Sequence, residues 1–349
     1  MPSPMLSDKM NRTGKQFSEN QRMNRPTAIT ATYRIVTPMF CAGADQQSAE
    51  LRLASFKGAL RFWWRTLMAG KFGNDIEGLH KAEAELFGSS DRRFGQSKVR
   101  MRLRWRSKIP AKSELVTEWP ANQPAIGSTY LGYGITESGK KGSPTYKPHR
   151  IGLPEGREFE VKCIGNERDL ASVLPALKIV GMLGGLGSRS RRAFGSIALE
   201  YLDEDSFEFK NADGFRAFIN SLVHEPCPIL PEFTAFGSHA RLYVGPAAES
   251  ARESHRLLGE TYRNFRGLPS PLRGRSKIPM GLPLQGVDSR RRASPLLMHI
   301  HPVADQFMPV VLFLPSVFHP EIREGNQFGF FQVVQQWMES LNATEVKLG

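Results

Sequence analysis

Sixteen residues, Gly181 to Ser196, read Gly-Met-Leu-Gly-Gly-Leu-Gly-Ser-Arg-Ser-Arg-Arg-Ala-Phe-Gly-Ser. Glycines at 181, 184, 185, 187 and 195 interrupt any regular element, because glycine loses the most freedom on ordering and accepts left-handed backbone. Asp169–Val180 before the segment has helical character, and Phe194–Tyr201 after it has strand character. The fold must therefore join a helix C-terminus to a strand through a loop rich in glycine and arginine. Two phosphate loops are excluded by spacing. No Gly-x-x-x-x-Gly-Lys-[Ser/Thr] occurs here, and Gly185-Leu-Gly187 lacks the third glycine of a dinucleotide fingerprint, with Ser190 in its place. The polarity is also reversed, since nucleotide loops use a helix N-terminus and this loop meets the negative end of the dipole. Arg189, Arg191 and Arg192 must attract any anion, with planar guanidinium forks suited to phosphate. The competing reading is a solvated helix-to-strand connection.

A chain of 349 residues suggests about two domains, and 40% hydrophobic residues allow buried cores. The net charge of +13 and pI of about 9.8 call for an acidic partner, nucleic acid or an anionic surface. No apolar run reaches the ~18 residues of a membrane span, and no apolar leader opens the chain. Cys41, Cys163 and Cys227 are odd in number and far apart. They fit a reducing cytoplasm and exclude a CxxC zinc site or a disulfide framework. No metal, cofactor or membrane is expected.

Residues 1–26 are polar and basic, and are expected to form a disordered arm. Ile29–Cys41 is a strand signal. Leu53–Met68 is an amphipathic helix with Phe56, Ala59, Leu60, Trp63 and Leu67 on one face and Lys57, Arg61 and Arg65 beside it. Trp63 and Trp64 are assigned to the core. A second helix covers Asp75–Phe87. Val99–Arg106 alternates apolar residues with arginine, a half-buried strand with a cationic face. Residues 107–157 form an insertion, and Glu158–Ile164 is a strand. The order β, α, β, β, α, β is the ferredoxin-like pattern. Beyond residue 203 a looser copy follows: strand Ala240–Val244, helix Ala247–Phe265, loop Gly267–Arg292, strands Pro295–Pro302 and Pro309–Leu314, and helix Phe328–Leu341. The expected fold is α+β, with two ferredoxin-like (RRM-like, βαββαβ) domains carrying loop insertions.

The helix Leu51–Arg65, the loop Gly184–Gly195 and, more weakly, Arg291-Arg-Ala-Ser-Pro-Leu-Leu resemble the RAMP superfamily of CRISPR-associated proteins. The stretch Lys57-Gly-Ala-Leu-Arg-Phe-Trp-Trp-Arg65 is more specific and resembles the first subunits of Cmr (type III-B) effector complexes. The resemblance spans about residues 29–315. It implies domains at 27–202, with the insertion at about 107–157, and at 203–349. It also implies a non-catalytic subunit near one end of a ribonucleoprotein filament, touching CRISPR guide RNA, the guide–target RNA duplex and neighbouring RAMP subunits. In this family target cutting is attributed to another subunit. The expected RNA contacts are Arg52, Lys57, Arg61 and Arg65, the loop residues Gly184, Gly185, Gly187, Ser188, Arg189, Ser190, Arg191 and Arg192, and Arg291 and Arg292. Arginine stripes and a glycine loop follow a phosphate backbone without reading sequence. Arg192–Leu199 echoes the RNP1 strand of an RRM, but Ser196 and Leu199 replace later aromatics, so loops and the arginine-bearing helix, rather than the sheet face, are expected to carry RNA.

The alternative is an endoribonuclease that processes guide RNA. Its motive is the shared fold with His80 and His149, because metal-independent cleavage needs an acid and a base. His299 and His301 share a strand face without a third metal ligand at a recognisable spacing. For all of these, surface or core packing is the expected role.

Overall fold

The computed structural model describes residues 27–45, 48–117, 127–135, 150–267, 272–317, 319, 327–341 and 344–345. The basic arm, His149 and much of the insertion lie outside them. β1 (Thr27–Ile35) leads to α1 (Leu53–Phe72), α2 (Ile76–Phe87) and β2 (Arg100–Trp105). The insertion contributes the short α3 (Gly127–Leu131) before β3 (Glu158–Gly165), α4 (Glu167–Leu183), β4 (Ile197–Leu202), β5 (Asp205–Ser206) and α5 (Ala212–Leu222). There follow β6 (Arg241–Val244), α6 (Ala251–Arg266), β7 (Leu282–Leu284), β8 (Asp288–Arg292), β9 (Leu296–Val303) and β10 (Gln306–Phe313). The chain closes with α7 (Gln327–Phe330), α8 (Gln332–Ser340) and β11 (Thr344–Glu345).

Local chemistry places the helix starts. Asp75 Oδ1 accepts from the Gly78 amide at 2.8 Å, Asn166 Oδ1 from Asp169 at 2.8 Å and Asn211 Oδ1 from Gly214 at 2.9 Å. Each satisfies one amide that a helix N-terminus leaves open. α4 runs past the expected loop start, so Gly181 is helical and packs against Leu199 of β4. The apolar run Ile179–Leu183 keeps the helix going because all five residues are buried. Residues 267–292, expected as loop, contain a 3₁₀ turn at Gly274–Met280 and the β7–β8 hairpin. α5 was not expected, and it buries Phe215 and Ile219.

Both main sheets are antiparallel, giving an α+β architecture. The first runs β2-β3-β1-β4-β5 and the second β11-β6-β10-β9. The repeat seen faintly in element order is plain in this topology: in each sheet the first strand of its set lies between the third and fourth, and the second strand is at the edge. α1 and α4 cover one face of the first sheet, where Tyr33, Phe56, Trp63, Phe159 and Leu177 are buried. The Tyr33 hydroxyl donates to the Leu177 carbonyl at 2.9 Å, tying strand to helix. The other face carries the β2 arginines toward solvent, as the alternation requires. Of these, Arg104 pairs with Glu160 at 2.6 Å, while Arg100 and Arg102 stay exposed.

The second sheet is covered on both faces. Leu242, Leu297, Val310 and Leu312 join the core under α4, and Met298, Ile300, Val311 and Phe313 pack with Leu258, Tyr262 and Trp337 on the far side. The insertion reaches this second layer, since α3 crosses α6 glycine against glycine. A Cβ on Gly259 would stand 2.3 Å from the Gly127 carbonyl carbon. Gly259→Ala should therefore overpack the crossing and cost about 1–3 kcal/mol. Urea unfolding should show a lower midpoint at unchanged slope; an unchanged midpoint would contradict the crossing.

Candidate functional site

The glycine–arginine loop is pinned against the second sheet. The Met298 amide donates to the Arg191 carbonyl at 3.1 Å, and the Ile300 amide to Ser196 Oγ at 3.2 Å. Two buried histidines hold two further carbonyls. His299 Nδ1 lies 2.9 Å from the Gly184 carbonyl, and His255 Nε2 lies 3.0 Å from the Arg192 carbonyl. A carbonyl only accepts, so these nitrogens carry the protons. His299 Nε2 must then accept from His301 Nδ1 at 3.2 Å, and His255 Nδ1 from Ser128 Oγ at 2.9 Å. Burial pulls the His255 pKa down to about 4 and that of His299 to about 3, so both are neutral near pH 7.

With the backbone held, the side chains divide between two sides. Arg189, Arg191 and Arg192 line a cleft of about 710 Å³ together with Arg266 and Arg292. Among the described residues its lining holds no aspartate or glutamate. Its walls are α3 with Tyr130, the residue Tyr133 just after that helix, and the β7–β8 hairpin. Arg191 Nη1 donates to the Ser294 carbonyl at 2.8 Å, and the Arg192 guanidinium lies 4.6 Å over the Tyr262 ring. Arg292 is buried and donates to the Ser316 carbonyl at 2.9 Å. Desolvation and then the neighbouring Arg192 charge lower the pKa of both Arg189 and Arg191. Burial and then Arg191 bring Arg292 down to about 10. A bound anion would relieve this mutual repulsion. Arg291 is exposed beside Arg292 but does not line the cleft.

Gly187 and Ser188 face the other way, into a recess of about 400 Å³ shared with Arg52 and Arg150. Gly184, Gly185 and Ser190 line a small cavity with Phe62 and Trp63, so these glycines serve packing between α1 and the loop. Lys57 and Arg61 line a third recess with Ser89, Ser90 and Ser97. The helix stripe is not an open row of charges. Arg61 and Arg65 both contact Glu83 Oε1, at 2.6 and 2.5 Å, and Lys57 Nζ donates to the Phe87 carbonyl at 2.6 Å. Glu83 has 3% of its side chain exposed. The signal was present in sequence, because Glu83 follows Leu79 by four residues on the buried face of α2. Trp63 and Trp64 are core residues, and Trp64 Nε1 donates to Ser172 Oγ at 3.2 Å.

The sequence model of the RAMP superfamily matches residues 32–198. The Cmr subunit Cmr1-2 of Pyrococcus furiosus is 30% identical over 180 residues, covering 48% of this chain and 93% of the relative. The chain belongs to the RAMP superfamily. It is homologous to the Cmr1 subunits, and Cmr1-1 of the same organism is 28% identical over 298 residues, covering 78% of this chain and 83% of its own length. The apo crystal structure of P. furiosus Cmr1 superposes with a TM-score of 0.61 at 21% identity, over 92% of this chain and 98% of that one. A chain of the type III-B Cmr-beta complex bound to cognate target RNA superposes with a TM-score of 0.54 at 10% identity, over 90% and 98%. At these identities the structural likeness shows the fold.

Sequence reasoning missed several parts of this cleft. Tyr130 and Tyr133 stood in an insertion without periodicity, Arg266 ended a helix, and the histidine pins depend on contacts between distant segments. No helix among the described residues is long and apolar enough to cross a membrane. Also among the described residues, no cluster of three or more His, Cys, Asp or Glu could hold a metal.

Two outcomes follow from the electrostatics. Unfolded histidines take up protons below about pH 6.5, whereas His255 and His299 resist until about pH 4 and 3. Their folded pKa values are depressed, so the unfolded chain binds more protons in that window. Stability should be full above pH 6.5 and fall by a few kcal/mol toward pH 4. Thermal midpoints measured from pH 7 to 4.5 should fall, and His255→Gln should flatten the fall; identical profiles would contradict it. Arg61→Ala combined with Arg65→Ala strands the buried Glu83 carboxylate and should cost about 3–5 kcal/mol. Adding Glu83→Gln should recover part of the loss in chemical unfolding, and no recovery would contradict the ion-pair account.

Proposed function

We propose that this chain is a non-catalytic RNA-binding subunit of a type III-B Cmr complex. In this reading it binds guide RNA and the guide–target duplex and packs against neighbouring RAMP subunits. The observation that carries it is the cleft, where five guanidiniums converge with no acidic residue in the described lining. The loop links the cleft to the Arg52–Arg150 recess, and the N-terminal half of α1 links that recess to the Lys57 one. Such a track suits phosphates spaced along one strand. The relatives support the setting, since they are named Cmr subunits and one structural match lies in a complex bound to target RNA.

In this proposal the two sheets and their helices are two ferredoxin-like units, 27–202 and 203–349, and the cleft lies where they meet. The chain itself makes no cut. His255, His299 and His301 are committed to hydrogen bonds inside the fold, which removes them from any role at a 2′-hydroxyl. Guide-RNA processing is the competing reading; of the histidines that motivate it, His80 sits exposed on α2 with its ring 6.2 Å from that of Phe94, and discrete cleavage of repeat RNA by the pure chain in EDTA would favour it.

Arg189→Ala combined with Arg192→Ala should weaken RNA binding tenfold or more. The slope of log affinity against log salt should shrink by about 0.7 for each single-strand phosphate that is no longer neutralised. The pair Arg61→Ala and Arg65→Ala should change the slope less, because Glu83 already holds both. Fluorescence anisotropy across a salt series reads both effects; unchanged affinity and slope in the loop variant would overturn the proposal.

A further inference from the structure

Tyr133 is the most exposed of the large apolar side chains described, at 75%, and its ring stands in the wall of the arginine cleft. An aromatic ring left in water beside cations is poor packing but a good platform for a flat partner such as a nucleobase. Around it the cleft is built rather than open. Tyr130 is held by Arg266 Nη1 at 3.1 Å from its hydroxyl and lies 5.9 Å from the Tyr262 ring. Apolar lining comes from Leu282 and Leu284 of the β7–β8 hairpin. Arg189 enters with a left-handed backbone, φ 60°, unusual for a residue with a side chain. Its guanidinium rests on Gly134, where a Cβ would stand 2.6 Å from Nη2. Gly134 directly follows Tyr133 in the chain, so the charged fork lies against the residue next to that ring.

We infer that the cleft takes one unstacked nucleotide of a single-stranded RNA, its base on Tyr133 and its phosphates on Arg189 and Arg192. The inference rests on the RNA-binding reading above and narrows it. A cleft of about 710 Å³ is in the size range of small-ligand pockets. It admits one nucleotide with its flanking phosphates. An A-form duplex keeps its bases in the stack and offers phosphates and 2′-hydroxyls instead, so it reaches the arginines without reaching Tyr133. Base–aromatic stacking is tolerant of sequence, which suits a subunit that leaves sequence to base pairing.

The test uses the full chain, a labelled single-stranded oligouridylate and a hairpin duplex with the same number of phosphates. Tyr133→Ala should weaken the single strand about tenfold, change the duplex less than twofold and leave the salt slope unaltered, while Tyr133→Trp should bind like the parent. If Tyr133→Ala binds the single strand like the parent, or loses both ligands equally, the inference is overturned. Arg189→Ala separates the two levels of the argument. If it weakens both ligands while Tyr133→Ala changes neither, RNA binding stands and the base site falls. If neither variant changes binding, both readings fall. AMP bound as tightly as the oligonucleotide would reassign the cleft to a free nucleotide and also overturn the inference.

Discussion

The arrangement depends on hydrogen bonds that fasten one loop to the opposite sheet. The carbonyls of Gly184, Arg191 and Arg192 and the Ser196 hydroxyl accept from His299, Met298, His255 and Ile300. Between its apolar anchors Leu186 and Phe194 the loop is built mainly from glycine, serine and arginine, and like charges drive its side chains apart. Here its backbone is satisfied by the β9 edge and by α6, so the arginines need not hold the loop in place. That frees Arg189 and Arg192 to face the cleft, and lets Gly187 and Ser188 face the Arg52 recess. The same bonds join the two sheets, so the stability of the junction and the shape of the cleft are one property.

Neutral histidine suits this role. It donates to a carbonyl at one ring nitrogen and accepts at the other, and the His301–His299–Gly184 relay uses both. A cation in the same place would be costly to desolvate, and a carboxylate could not donate to the Gly184 carbonyl. The histidine pair, for which surface or core packing was the expected role, is a structural joint of the core.

Much of the frame was legible in the chain. The alternation of Val99–Arg106 gave a half-buried strand, the period of Phe56, Leu60 and Trp63 gave a packed helix, and the order of elements anticipated most strands of both sheets. These are local, periodic signals. What stayed hidden was set by distant contacts. Glu83 pairs with two of the three cations of a stripe that reads as free, Gly181 lies inside α4 against Leu199, and Arg292, at the end of β8, is buried with its guanidinium 5.3 Å from the Phe331 ring. The cleft combines residues from the insertion, the loop, α6 and the hairpin, and no single window of sequence contains it.

The most direct test of the account is ultraviolet cross-linking of the full chain to single-stranded RNA, with the modified peptides located by mass spectrometry. The account predicts cross-links at Tyr130 and Tyr133 and in the peptide carrying Arg189–Arg192. Cross-links confined to the open face of the first sheet, at Arg100–Arg106 and Tyr201, would contradict it.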